Sequence, residues 1–125
     1  MRKLVLAFAI GLVAIGCKHP GSAKLEGHWR GTRADGVSPG QQDAANAFAQ
    51  GTEIIARGEK LTVSTPGAKG IQSTYVVDDE NKTTVVLHTE KDGLTAKETF
   101  VFDGTKTMTW KLGGGPSIVF QKVKD

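Results

Sequence analysis

The sequence predicts an all-β domain, a small eight-stranded antiparallel up-and-down barrel with one short helix between its first and second strands. Three observations predict it. From Leu25 onward apolar and polar residues alternate with period two, in segments spaced roughly ten residues apart, so each segment offers one face to a core. The dipeptides Gly58-Glu59, Asp92-Gly93 and Asp103-Gly104 separate segments and suit two-residue hairpin turns. A single stretch, 38–51, carries helix signals instead. Closing the meander removes unpaired strand edges. Closure rests on the strand count, and an open sheet or a two-sheet sandwich would satisfy the same pattern.

The first strand, 25–32, puts Leu25, Gly27, Trp29 and Gly31 on one face and His28, Arg30 and Thr32 on the other. The helix follows. Ser38 is the expected N-cap, Pro39 occupies the first helical position and Gln41 the capping-box position. Ala45, Phe48 and Ala49 form a small apolar stripe to dock on the sheet, and Gly51 can supply a left-handed C-terminal residue. Strands 53–56 and 61–64 flank Gly58-Glu59, whose leading glycine suits a type II′ turn. Strands 71–78 and 83–90 are rich in Val and Thr and join through the polar run from Asp79 to Lys82. In 94–102, Phe100 and Phe102 share a face; in 105–112, Met108, Trp110 and Leu112 alternate with Thr107, Thr109 and Lys111. A glycine triplet and Pro116 precede the last strand, with Ile118 and Phe120 on one side.

The 125 residues suffice for one domain, and the single cysteine excludes an intramolecular disulfide or a multi-cysteine metal site. Arg2 and Lys3 precede the apolar run 4–15, too short to span a bilayer but well matched to the core of a secretory signal. The run ends at Ala14-Ile15-Gly16-Cys17, which resembles the lipobox of bacterial lipoproteins, although Ala14 stands where Leu is usual. The resemblance implies a signal peptide over 1–16 and lipid attachment at Cys17, which makes the membrane a partner through the acylated residue. It further implies a short flexible tether over 17–24 and a folded domain over 25–125. Lys18, in place of the Asp that favours inner-membrane retention, implies a cell-envelope lipoprotein of the outer membrane, on its periplasmic or surface face. Ordinary secretion with cleavage near Gly16 would leave a free thiol; lipidation explains both the solitary cysteine and its position.

The net charge of +3 has the same origin. Arg2 and Lys3 are two of the 16 basic residues, so the chain from Cys17 on carries side-chain charge of only +1. Its lysines are interspersed with Asp and Glu, without a basic cluster or aromatic platform, so no nucleic-acid partner is expected.

Gly27-His28-Trp29 at the start of the first strand resembles the Gly-x-Trp motif of lipocalins and the wider calycin group. The resemblance extends in outline over 25–124. It implies a lipocalin-like barrel in which Trp29 plugs one end against a basic residue of the last strand; Lys122 or Lys124 stands in for the family's Arg. One short helix after the first strand is similar to the fatty-acid-binding branch, which has two. The implied function is binding of a small apolar ligand at the end guarded by Trp29 and the helix around Phe48. Phe100, Phe102, Met108, Trp110 and Phe120 are the candidate lining. The same side chains would serve as core in a filled barrel, which would act through exposed loops as an inhibitor or interaction module toward an envelope protein.

No His-Glu-x-x-His, Gly-x-Ser-x-Gly or phosphate-loop motif occurs. No catalytic residue, metal or cofactor is therefore expected. A metal or catalytic site would need His28 and His88 to meet beside a carboxylate, and His19 lies in the tether without fixed geometry. Asp78-Asp79-Glu80-Asn81 lacks the ligand spacing of a calcium loop and reads as a solvated turn.

Overall fold

A computed structural model describes residues 19–123; the expected signal segment and Cys17 lie outside the described residues. The strands are β1 (His19–Pro20), β2 (Gly27–Asp35), β3 (Glu53–Arg57), β4 (Lys60–Thr65), β5 (Ala68–Glu80), β6 (Thr84–Lys91), β7 (Leu94–Asp103), β8 (Thr107–Lys111) and β9 (Ser117–Val123). A 3₁₀ turn (Pro39–Gln41) and helix α1 (Gln42–Gln50) lie between β2 and β3. Each strand from β2 to β9 pairs antiparallel with its sequence neighbour, and β9 returns to β2. The result is the closed eight-stranded barrel, which excludes the open sheet and the sandwich. Among the described residues no helix is long and apolar enough to cross a membrane.

The period-two pattern sets the inside. Trp29, Ile54, Leu61, Tyr75, Leu87, Phe100, Met108 and Phe120 are buried in one core. A bulge in β2 sets two residues, Thr32 and Arg33, against the Val119/Phe120 step of β9, and it turns Ala34 rather than Arg33 inward. The turn chemistry is also local. Asp92 and Gly93 both take positive φ, 55° and 81°, as a type I′ turn demands. Asp103-Gly104 departs from expectation: Asp103 pairs with Thr107, leaving a three-residue loop of Gly104, Thr105 and Lys106. The extra residue lets the Lys106 carbonyl accept from the Lys122 N–H at 2.8 Å, a partner on another strand.

Two strands outrun their neighbours, and each exposed edge is covered. β5 pairs with β4 only up to Thr74, and β1 takes the edge beyond it, His19 opposite Val77 and Pro20 opposite Val76. The Ser22 N–H then donates to the Tyr75 hydroxyl at 2.9 Å, and Leu25 is fully buried. Residues 19–24, expected as a flexible tether, are thus part of the fold, and His19 is placed 3.5 Å from Glu80.

β2 pairs with β3 only over Gly27 to Arg30. Along the remaining edge α1 lays three amide side chains spaced four residues apart, which one helical face brings together. Asn46 Oδ1 accepts from the Ala34 N–H at 2.9 Å, Gln42 Nε2 donates to the Ala34 carbonyl at 2.7 Å, and Gln50 Nε2 donates to that of Thr32 at 3.2 Å. Ala45 and Ala49 pack on the core beside them. Phe48, two residues from Asn46 at about 100° per residue, points nearly the opposite way and is 46% exposed, so it does not dock. The expected caps also differ. Ser38 is extended but makes no side-chain cap, and Gln41 closes a 3₁₀ turn instead of a capping box. Gly51 has φ −93°, not left-handed; its small size is required because a Cβ would crowd the Pro66 ring, 2.8 Å away.

Asn46→Leu is expected to destabilise the barrel by about 1–3 kcal/mol, because the Ala34 N–H, with its residue 5% exposed, loses its acceptor. Urea unfolding against Gln50→Ala, which frees only an exposed bond, checks this; an equal loss in both variants would sink it.

Candidate functional site

The barrel has two distinct ends. At the base lie the start of β2, the Gly58-Glu59 turn, the β5–β6 turn, the loop 104–106 and the end of β9. At the mouth lie the β4–β5 and β6–β7 turns, the glycine triplet and α1. The sequence reading put Trp29 and the helix at the same end. They are at opposite ends, because Trp29 is the third residue of β2 and α1 follows its last.

Trp29 closes the core toward the base. The Trp29 indole is fully buried; its Nε1 donates to the Leu25 carbonyl at 2.9 Å, and its ring meets Phe102 edge-on at 5.8 Å. Lys122 Nζ lies 5.4 Å from the ring centroid, the contact anticipated for Lys122 or Lys124. Met108 and Phe120 are fully buried in the core; Phe102, 6% exposed, packs in the core and also borders a second cavity at this end.

The mouth is hollow. A cavity of about 320 Å³ opens among β4–β8, with Leu61, Val63, Ile71, Phe100 and Trp110 as its apolar wall. Ser73, Thr89, Lys91 and Glu98 supply polar groups around it. Trp110 is held in place from two sides. Its Nε1 donates to Glu98 Oε1 at 2.8 Å, and its ring stacks on Phe100 at 6.0 Å with 22° between planes. Of the seven expected ligand residues, only Phe100 and Trp110 line this cavity. Leu61, Val63 and Ile71 were missed, although their alternation in β4 and β5 marked them as inward-facing. What strand periodicity could not tell was their height along the barrel.

The histidines do not meet. His28 on β2 and His88 on β6 stand on strands four apart in a ring of eight, on opposite sides of the barrel. His28 Nε2 lies 2.6 Å from Glu53, which Arg30 also contacts at 3.4 Å. The hydrogen bond from His28, aided by the Arg30 charge, holds the Glu53 carboxyl below its ordinary pKa despite some desolvation. His88 Nδ1 lies 2.9 Å from Asp78 and Nε2 3.1 Å from Glu90. Only the imidazolium can donate from both nitrogens. The bond to Asp78, then that to Glu90, accordingly raises the His88 pKa. The acidic run disperses in the same way, with Asp78 facing His88, Glu80 facing Lys24, and Asn81 Oδ1 accepting from the Thr83 and Thr84 N–H groups. Among the described residues no group of three or more His, Cys, Asp and Glu is arranged to hold a metal.

A raised folded-state pKa makes the His88 contribution complete below the unfolded value, about 6.5, and lost as pH rises through the folded one. Wild-type stability is thus expected to fall relative to His88→Gln as pH rises from 6 toward 8, as read from urea midpoints across roughly that range. Parallel curves would refute it.

In comparisons with family models, curated proteins and solved structures, nothing matches this chain.

Proposed function

We propose that this chain is an envelope lipoprotein, anchored through Cys17, whose lipocalin-like barrel holds a small apolar ligand at its mouth. The observation that carries the binding reading is the cavity itself. An oriented indole, a stacked phenyl ring and three aliphatic side chains line it, with Thr65, Ser73, Thr89, Lys91 and Glu98 as the polar groups around them. Its volume of about 320 Å³ lies at the small end of ligand pockets, which span roughly 300–1,000 Å³. The apolar run 4–15 ahead of a solitary cysteine supports the anchor.

One observation favours a protein partner as a second reading. Among the described residues the large hydrophobic side chains that stand exposed are Phe48, Ile71 and Leu94, at 46, 45 and 75%, and all three belong to elements at the mouth. Apolar groups gathered at one end suit an interface as well as a ligand entrance.

Four measurements test these readings. Native mass spectrometry of the protein purified without detergent is expected to show a bound small molecule. Anilinonaphthalene sulfonate should quench Trp110 emission, with Ile71→Lys abolishing the effect; no bound mass and no quenching would overturn ligand binding. If Leu94→Lys spares dye binding but releases a protein recovered by cross-linking from envelopes, the partner reading stands. Labelling with radioactive palmitate should vanish in Cys17→Ala, and persistent labelling would refute the anchor.

A further inference from the structure

The base carries a second cavity, of about 470 Å³, which the apolar-ligand reading does not use. Lys24, Lys82 and Lys122 line it, with Thr83, Thr105 and Phe102, and no carboxylate is among its lining residues. The lysines come from three separate places, the segment before β2, the β5–β6 turn and the last strand, so only the closed barrel brings them together. Their charges are incompletely answered. Lys24 Nζ lies 3.4 Å from Glu80, which His19 also faces. Lys122 rests over the Trp29 ring, and Lys82 forms no ion pair among the described residues. Three lysines and two threonines lining one hollow fit a phosphate group, to which lysine binds as a point charge.

The chain path says where such a phosphate would come from. β1 runs antiparallel to β5, and His19 lies opposite Val77, three residues before β5 ends at the base. Cys17 precedes His19 by two residues, a reach of at most ~7 Å. A lipid on Cys17 would therefore hold this end of the barrel against the bilayer. We infer that the base cavity seats the phosphate headgroup of an anionic phospholipid, so that the barrel stands base-down and its mouth faces away from the membrane. The orientation rests on the proposed lipid anchor; the headgroup site rests on the lysines.

The chain from Lys18 on contains every described strand and core residue but cannot be acylated, so it separates the two. It is expected to sediment with phosphatidylglycerol vesicles and not with phosphatidylcholine vesicles. Lys82→Gln should weaken that binding about five-fold, and adding Lys24→Gln should weaken it by a similar factor again. Lys111→Gln, at the mouth end, should change nothing. Equal binding to both vesicles, no binding to either, or an equal loss from Lys111→Gln would overturn the headgroup site. If inorganic phosphate shifts the Lys82, Thr83 and Thr105 amide resonances while vesicles do not bind, the cavity takes a soluble phosphate and the membrane proposal falls. Loss of palmitate labelling bears on the anchor alone and leaves the vesicle result to stand.

Discussion

Trp29→Ala is expected to remove about 3–5 kcal/mol of stability, a large share of the roughly 5–15 kcal/mol that a domain possesses. The indole is fully buried at the base, so its loss leaves a cavity that a closed ring of strands cannot easily collapse to fill. Three further contacts go with it: the bond to the Leu25 carbonyl at 2.9 Å, the edge-on packing with Phe102, and the Lys122 ammonium over the ring. Trp29→Phe separates these effects. It keeps aromatic volume while orphaning the Leu25 carbonyl, and should cost about 1–3 kcal/mol. Urea unfolding of both variants checks the pair. A loss under about 1 kcal/mol in Trp29→Ala would mean that the base is not held by this plug.

Gly31→Val should be nearly as damaging for the opposite reason, too much matter in place of too little. Gly31 is buried, and a Cβ built on it falls onto the main-chain carbonyl of Ala49, closer than real Cβ contacts come. The obstacle is backbone, so no rotamer change relieves it, and the end of α1 must move. Overpacking alone costs about 1–3 kcal/mol. Shifting α1 also disturbs the amide bonds of Gln42, Asn46 and Gln50 to the β2 edge, so the total is expected at or above the top of that range. Amide exchange localises the damage, with the Ala34 N–H losing protection before the Trp29 region does. Uniform loss across the barrel would argue against this route. The mouth cavity is lined by β4–β8 and not by α1, so dye binding should survive where the fold does.

Much of this architecture was legible because its determinants are local. A period-two pattern decides which side chains face inward whichever strand lies alongside, and it marked Trp29, Phe100, Met108 and Phe120 correctly as interior. Asp92-Gly93 specifies its own turn through two positive φ angles. The helix was legible in place but not in orientation. Its apolar stripe suggested that Phe48 docks, whereas the contacts that matter are polar, from amides at 42, 46 and 50 to a strand edge. That four-residue spacing was present in the sequence. It acquired meaning only once β2 was seen to outrun β3 and leave backbone groups without partners.

The candidate site was less legible for a related reason. Alternation reports inside or outside, and says nothing about height along the barrel. Trp29 and Trp110 both face inward, yet one is fully buried at the base and the other lines an open cavity at the mouth. Register separates them, and register depends on bulges and on unequal strand lengths that become visible only in the pairing. By itself, then, the sequence determined eight strands, most of their inward faces and the helix between the first two barrel strands, since each is written within a dozen neighbouring residues. The tertiary structure alone decided that Trp29 is buried at one end while Trp110 lines an apolar cavity at the other, where residues 19–24 dock, and that three scattered lysines share one cavity. These depend on closing the ring, which juxtaposes residues that no local pattern connects.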